Sequence, residues 1–387
     1  MVIVFIPEMK PAKVESLKSK VELGEMECYR FHTGNEIIEL PLVADVKKIY
    51  VEVTTACKYS CITCIRHSWS AGDRHMSAAI FEELLSNLAD LPQLKTVHFG
   101  GFGEPLSHPN ILDMIGACKQ AGYQVEMITN GSFLTPEVAR KLVELELDWL
   151  FVSLDGPDDE SFSEIRPGAS FEEVTCHIKC LQEIKQTAGT KLPRLGVEFV
   201  ATKQNYLRLP AMRRIVDELR ADRFVLTNVL PYHASMKDEI LYDEGLDFTQ
   251  FGGEGVLLSL KAAPQMQVRS QRNCKFVDDK AVVVTAAGEI SPCYALMHNY
   301  TCYILGREKK MTSHSFGNLH DRSLRDIWTD PKYAYFRWIV RSNHYPSCTD
   351  CKQIDGCAMA QTNESDCWGN QPSCGDCLWA RDIVVCP

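Results

Sequence analysis

Three cysteines, Cys57, Cys61 and Cys64, are spaced C-x3-C-x2-C and are the residues in this chain best placed to carry chemistry. Thiolates at that spacing can hold three irons of a [4Fe–4S] cube and leave the fourth iron without a protein ligand. A ferredoxin-type cluster closes all four irons with cysteine. An open iron can chelate a small molecule through an amine and a carboxylate and pass it an electron. Chance thiols or a zinc knuckle are the competing readings of the triplet taken alone. The apolar run Ile49-Tyr50-Val51-Glu52-Val53 precedes it and reads as the strand that delivers the loop.

A second concentration of thiols lies toward the other end, where ten of the seventeen cysteines fall between Cys274 and Cys386. The tail runs Cys348-x2-Cys351-x5-Cys357-x9-Cys367-x6-Cys374-x2-Cys377-x8-Cys386, after Cys274, Cys293 and Cys302. Gly288, five residues before Cys293, suits a hairpin turn that delivers a thiolate. Eight thiolates would close two cubes, while the two C-x2-C pairs also fit a zinc ribbon. The N-terminus has no basic stretch or small-residue cleavage site, so no signal peptide is expected and the thiols should be reduced or metal-bound. Cys28, Cys118, Cys176 and Cys180 are scattered; the last two, at helical i, i+4 spacing, read as buried core cysteines.

The elements that position these residues alternate between strand and helix. Strands are expected at Lys48–Thr54, Thr96–Gly100, Gln124–Thr129, Trp149–Leu154, Leu195–Ala201 and Arg223–Val229. Helices fill the gaps at Ser77–Leu88 (with Ser77 as N-cap), Ile111–Ala121, Pro136–Glu146, Phe171–Lys185 and Tyr206–Leu219. Six alternations make an α/β fold with a parallel sheet, and ligands of such sheets sit at the carboxyl ends of the strands. The division is an N-terminal appendage over 1–46, the α/β unit over 47–230, a connector over 231–272 and a cysteine-rich domain over 273–387. The appendage holds a strand candidate at Val2–Ile6, a charged helical piece near Val14–Leu23, and β-like stretches at Cys28–Phe31 and Glu36–Leu42. The connector holds Gly252-Gly253-Glu254-Gly255 and the apolar Val256–Ala263.

Polar residues collect at the strand ends. Gly100-Gly101-Phe102-Gly103-Glu104-Pro105 follows the second strand, Thr129-Asn130-Gly131 the third, and Ser153-Leu154-Asp155-Gly156 the fourth. Ser153 and Asp155 share parity and can face one side. Glu198 lies mid-strand and needs a partner or exposure, and Arg166 sits in an Ile-Arg-Pro-Gly loop. Each has a plainer reading as a turn former, an edge carboxylate or a surface cation.

Taken in strand order, these residues and the cysteine triplet resemble the radical SAM superfamily. The resemblance implies a partial (β/α)6 barrel whose cluster on Cys57, Cys61 and Cys64 binds S-adenosylmethionine (SAM) at the open iron. It implies that the Gly103-Glu104 loop holds the SAM amino group and that Ser153 and Asp155 reach the ribose. Thr129, Asn130, Arg166 and Glu198 complete the implied cofactor set. Two positions depart from the usual pattern. Phe102 replaces a glycine, and Thr63 stands where an aromatic residue often lies beside the adenine.

The C-terminal cysteines, with Phe316-Gly317-Asn318-Leu319 and Leu324-Arg325-Asp326-Ile327-Trp328 between them, resemble the SPASM domain, which holds two auxiliary [4Fe–4S] clusters. Cys348, Cys351, Cys357 and Cys374 form the first expected set and Cys274, Cys293 and Cys367 most of the second. Cys302, Cys377 and Cys386 compete for its last place. The ending Cys374-Gly-Asp-Cys377-Leu-Trp-Ala-Arg, together with Asn299 to Lys309, is similar to the radical SAM maturases associated with tungsten-cofactor oxidoreductases.

That likeness implies reductive cleavage of SAM to methionine and a 5′-deoxyadenosyl radical, which abstracts hydrogen from a peptide or protein. The partner would be the tungsten oxidoreductase or a short companion peptide, with ferredoxin or flavodoxin as low-potential electron donor. A ribosomal-peptide cross-linking enzyme and a non-catalytic iron–sulfur scaffold are the alternatives. The composition, 45% hydrophobic and 24% charged, is that of a soluble globular protein. A net charge of −10 argues against nucleic acid as the main partner, and no run is long enough to span a membrane. A cytoplasmic location is expected.

Overall fold

The computed structural model describes residues 19–20, 27–33, 36–243 and 272–385. At the N-terminal side, β1 (Ser19–Lys20), β2 (Glu27–Thr33) and β3 (Glu36–Pro41) form an antiparallel sheet. The two β-like stretches of the appendage thus pair with each other. Of the piece near Val14–Leu23 only Ser19–Lys20 is described, and it is strand. Val2–Ile6 lies outside the described residues.

The α/β unit then follows in sequence: β4 (Lys48–Glu52), α1 (Ala78–Leu88), β5 (Thr96–Gly100), α2 (Ile111–Gln120), β6 (Gln124–Thr129) and α3 (Pro136–Glu144). It continues with β7 (Trp149–Ser153), α4 (Asp159–Ile165), α5 (Phe171–Ala188), β8 (Arg194–Ala201), α6 (Leu209–Glu218) and β9 (Arg223–Asn228). Neighbouring strands from β4 to β9 pair in parallel. The helices begin where capping side chains are available. Ser77 accepts from the Ile80 amide and Asp158 from the Ser161 amide, satisfying donors that a helix start leaves free. The short helix α4 was not expected from the sequence.

Residues alternate across the sheet, as the strand period requires. Ile49 and Val51 of β4, and Val53 just after it, bury with helix residues such as Leu84 and Leu88 in the main core. Tyr50 and Glu52 turn to the other face, where Tyr50 meets His98 and His98 meets Phe151. This inner face is polar at its floor. Lys48 Nζ and His98 Nδ1 lie 2.7 and 3.1 Å from the same Glu126 oxygen. Burial works against the Glu126 charge, but His98 and Lys48 outweigh it and hold the carboxyl below its ordinary range. Burial pushes His98 down to about 4.

The cysteine-rich segment is stitched into this sheet. After α7 (Lys275–Asp278), β10 (Ala281–Val284) lies parallel to β4, with Ala281 opposite Lys48 and Val284 opposite Val51. The antiparallel β11 (Ile290–Ser291) completes the order β11-β10-β4-β5-β6-β7-β8-β9. The sheet is left open between β9 and β11, the partial barrel with two added strands. Gly288 sits in the turn of this hairpin at φ +80°, a conformation that suits glycine. Beyond it come β12 (Tyr300–Ile304) and β13 (Arg307–Met311), an antiparallel hairpin, then α8 (Leu324–Trp328) and α9 (Pro331–Arg341). Phe31 of the N-terminal sheet is fully buried and stacks on Tyr335 of α9 at 4.9 Å.

The expectation of a buried Cys176–Cys180 pair is corrected. Cys176 is exposed and Cys180 half-buried, because α5 turns Val174, Ile178 and Leu181 to the core instead. Cys118 is buried. In the connector, a short turn at Ala234–Met236 is described, while Gly252-Gly253-Glu254-Gly255 and Val256–Ala263 lie outside the described residues. No helix among the described residues is long and apolar enough to cross a membrane.

Candidate functional site

The loop after β4 carries Cys57, Cys61 and Cys64, all partly exposed at the carboxyl edge of the sheet. Its shape is held by its own backbone and by two basic side chains. The Cys64 amide donates to the Cys61 carbonyl, and Arg66 donates to the carbonyls of Cys57 and Tyr59 at 3.0 and 3.3 Å. His67 Nε2 lies 3.0 Å from the Cys61 carbonyl oxygen. Burial pushes the Cys64 thiol up to about 11, with Cys61 and Cys57 adding to the effect. Thiols that repel each other's ionisation in this way need a cation to become ligands, and coordination supplies it. The three soft donors on one self-braced loop therefore fit an iron–sulfur cluster.

The glycine loop after β5 packs directly on the cysteine loop. The Glu104 amide donates to the Ala56 carbonyl at 2.8 Å. A side chain at Gly103 would place its Cβ 2.0 Å from the Thr54 carbonyl oxygen, so only glycine allows this approach. Glu104 itself is 1% exposed and does not present a free carboxylate. One oxygen accepts from the Thr129 hydroxyl at 2.7 Å and the Leu106 amide at 3.0 Å, and the other from the Asn130 amide at 2.7 Å. Burial raises its pKa, opposed by these three donors. Glu104 is thus a brace between the loops after β5 and β6. The second of those loops turns Asn130 toward the triplet, where its Nδ2 donates to Cys57 Sγ at 3.4 Å.

Asp155 and Arg166 form a second buried brace. Asp155 is fully buried, and its Oδ2 accepts from Arg166 Nε at 2.7 Å while its Oδ1 accepts from the Val200 amide at 2.8 Å. Arg166 in turn acts on the Cys61 thiol, opposing the rise that burial causes there. Ser153 donates to Glu198 at 3.4 Å. Burial and then Asp155 push the Glu198 carboxyl up to about 7. Gly103, Glu104, Thr129, Asn130, Ser153, Asp155, Arg166 and Glu198 therefore form one contiguous rim beside the triplet, most of it tied internally. Glu198 is the carboxylate of that rim with the fewest donors.

Phe102, where the usual pattern has glycine, turns away from this rim toward the cysteine-rich segment. Its ring lies 6.1 Å from His298, 6.3 Å from Trp69 and 5.9 Å from Tyr294. Under it, Glu52 is 1% exposed, and His298 Nε2 lies 2.9 and 3.1 Å from its two carboxylate oxygens. The sequence reading missed this acid–imidazole pair. Glu52 shares the inward parity of Tyr50, which was the available signal; nothing in the sequence pointed to His298.

The C-terminal thiols fall into two groups. Cys293 is raised by burial and by its neighbours Cys377 and Cys274, and Cys374 by burial and by Cys377, Cys293 and Cys274. Cys348 is pushed up to about 12 by burial, with Asp376 and Cys367 adding; Cys367 responds to burial, Asp366, Cys357 and Cys351. The groups are thus Cys274, Cys293, Cys374, Cys377 and Cys348, Cys351, Cys357, Cys367. Cys374 thus neighbours Cys274 and Cys293 of the second expected set, and Cys367 neighbours Cys351 and Cys357 of the first. Cys302 is buried on β12 and lines a small apolar cavity together with Cys293, Cys374 and Cys377, and Cys377 adds to the rise that burial causes in its thiol. Cys386 lies outside the described residues.

The chain is similar to known proteins. Residues 51–192 match the model of the radical SAM superfamily, and residues 274–352 match that of the SPASM iron–sulfur cluster-binding domain. The tungsten-containing aldehyde ferredoxin oxidoreductase cofactor-modifying protein of Pyrococcus furiosus is 37% identical over 353 residues, which cover 88% of this chain and 97% of that protein. The mycofactocin maturase of Mycobacterium tuberculosis is 28% identical over 322 residues, covering 79% of this chain and 75% of the relative. The structure of Streptococcus suis SuiB bound to S-adenosylmethionine superposes with a TM-score of 0.59 at 17% identity, over 81% of this chain and 72% of that one.

Proposed function

The chain belongs to the radical SAM proteins with a SPASM region, the family of the Pyrococcus furiosus cofactor-modifying protein, and on that premise we propose that it matures a tungsten-containing aldehyde oxidoreductase. It is a SAM-dependent modifying enzyme with auxiliary iron–sulfur clusters. The observation that carries the substrate reading is 37% identity across 97% of a relative named as modifying the cofactor of such an oxidoreductase. Cys57, Cys61 and Cys64 would hold the first cluster, Cys274, Cys293, Cys374 and Cys377 one auxiliary cluster, and Cys348, Cys351, Cys357 and Cys367 the other. Bound together, the first cluster and SAM supply one-electron cleavage of a carbon–sulfur bond.

The chain's own side chains do the positioning. The Glu104 brace keeps the loops after β5 and β6 in register with the cysteine loop, and Gly103 lets the backbone come close. Asn130 steadies Cys57 through its amide N–H. The Asp155–Arg166 pair walls the rim, and Glu198, the carboxylate there with the fewest donors, would be the one available to a cationic ligand such as SAM. Phe102, Trp69 and Tyr294 close the mouth above Glu52 and keep water from it. Beneath them His298 Nε2 lies 2.9 and 3.1 Å from the two Glu52 oxygens and ties the cysteine-rich segment to β4.

The substrate is the oxidoreductase or its cofactor, and a low-potential donor of the ferredoxin or flavodoxin class delivers the electron. We place the enzyme in the cytoplasm, where iron-ligating thiols stay reduced. A short ribosomal peptide is the second reading, favoured by the likeness to the mycofactocin maturase. The test is to produce the tungsten oxidoreductase with this chain and with its Cys57→Ala, Cys61→Ala, Cys64→Ala variant, then weigh its polypeptide and released cofactor by mass spectrometry. A mass difference that depends on the three cysteines is expected. Identical masses in both preparations would remove the oxidoreductase as substrate.

A further inference from the structure

Between the two C-terminal thiol groups lies a buried ion pair that neither the cofactor site nor the ligand sets require. Lys309, on β13 opposite Cys302, reaches Asp376 at 2.6 Å, and both side chains are 4% exposed. Asp376 sits inside the Cys374-Gly-Asp-Cys377 turn. The other Asp376 oxygen, Oδ2, is buried without a hydrogen-bond partner among the described residues. A Cβ on Gly375 would come within 2.4 Å of Cys348 Sγ, so the backbone between Cys374 and Cys377 abuts a thiol of the second group. The two groups meet here, and the pair lies at their junction. Both Asp376 and Lys309 act on Cys348 and on Cys302. Arg381 is the other buried cation at this place, and its guanidinium is taken up by the carbonyls of Cys377 and Gly375 and the Ser347 hydroxyl. Asp366, beside Cys367, is the other acid that acts on Cys348.

A buried ion pair is weak evidence for stability, since desolvation of both charges offsets their attraction. An orphaned carboxylate oxygen makes this one poorer still as a structural device. Charge placed beside a cluster, by contrast, is one of the means by which a protein sets its potential. We propose that Lys309 and Asp376 are positioning residues that set the reduction potentials of the auxiliary clusters from opposite sides, Lys309 favouring an added electron and Asp376 opposing it. The inference rests on the ligand grouping under Proposed function.

The experiment is an anaerobic potentiometric titration of the full, iron-loaded chain, followed by electron paramagnetic resonance, with the first cluster as internal reference. Lys309→Met is expected to shift the reduction equilibrium of an auxiliary cluster at least tenfold toward the oxidised form, about 59 mV for one electron. Asp376→Asn is expected to shift it in the opposite direction, and the signal of the first cluster stays in place. Shifts of the same sign in both variants would mean loosened packing or water entry and would overturn the proposal, as would potentials that do not move. Should Lys309→Met fail to retain auxiliary iron, Asp376→Asn decides alone: a higher potential supports the proposal and an equal or lower one overturns it. If the parent itself holds no auxiliary iron, the ligand grouping fails first and the inference with it, which separates the two failures.

Discussion

Replacing Glu104 by glutamine separates a brace from a ligand contact. The carboxylate accepts three hydrogen bonds at 2.7, 2.7 and 3.0 Å in a site 1% exposed. Glutamine has one oxygen for the two that these donors use. If that oxygen stays with Thr129 and Leu106, the amide NH2 faces the Asn130 N–H. If it turns, the NH2 faces the Leu106 N–H while the Thr129 hydroxyl rotates to accept. Either way one buried backbone donor loses its acceptor, and a hydrogen bond to a charged group is worth about 1.5–3 kcal/mol. Where SAM needs the ordered loop, that loss lowers its affinity by about 10- to 100-fold, at about 1.4 kcal/mol per factor of ten. Thr129→Val removes one bond of the three and also the acceptor of the Gly131 amide, which lies 3.0 Å from the Thr129 hydroxyl, and should cost about 2 kcal/mol, or about thirtyfold. Isothermal titration of SAM into the anaerobic, iron-loaded protein gives the affinities, and hydrogen exchange of the Asn130 and Leu106 amides reports the brace. One of the two amides should lose protection as the affinity falls. Weaker SAM binding with both amides still fully protected would refute the brace and make Glu104 a direct contact.

Other outcomes follow from the same geometry. With its folded pKa at about 7, above the ordinary carboxylate value, Glu198 contributes stability below about pH 4.5 that is lost as pH rises through 7, because the folded state binds the extra proton. Glu198→Gln should therefore gain stability relative to the parent as pH rises from 5 to 8, in denaturation monitored across that range. A constant difference would mean that Glu198 does not titrate there. The thiol grouping predicts that Cys274→Ala with Cys374→Ala loses about four irons per chain and Cys348→Ala with Cys374→Ala about eight, out of about twelve in the parent. The reverse pattern would restore the sets expected from spacing. Cys302→Ala should keep its iron, as measured by colorimetric iron analysis.

Much of the fold is legible in the sequence, and the reasons differ by element. The strands Thr96–Gly100 and Gln124–Thr129 match their expected bounds because apolar runs flanked by helix caps and glycine turns leave little choice. The N-cap at Ser77 was readable for the same reason. The cysteine triplet announced itself by spacing alone. What spacing could not show is which thiols meet when the chain folds back. Cys367 and Cys374 are close in sequence yet stand in different groups, and the decision lies in the path between them. Nor could sequence tell that Glu104 and Asp155 are satisfied internally, since the partners at the Asn130 amide and the Val200 amide are backbone groups with no signature. The Glu52–His298 pair joins residues 246 positions apart and depends on β10 pairing with β4. Strand pairing across such a separation leaves no local pattern to read.

Release of 5′-deoxyadenosine tests the SAM-cleaving enzyme most directly. The anaerobically loaded chain, reduced with dithionite in the presence of SAM, should form 5′-deoxyadenosine and methionine even without substrate, and the Cys57→Ala, Cys61→Ala, Cys64→Ala variant should form none. A fully iron-loaded parent that binds SAM yet yields no 5′-deoxyadenosine would contradict the enzyme and leave an iron–sulfur scaffold in its place.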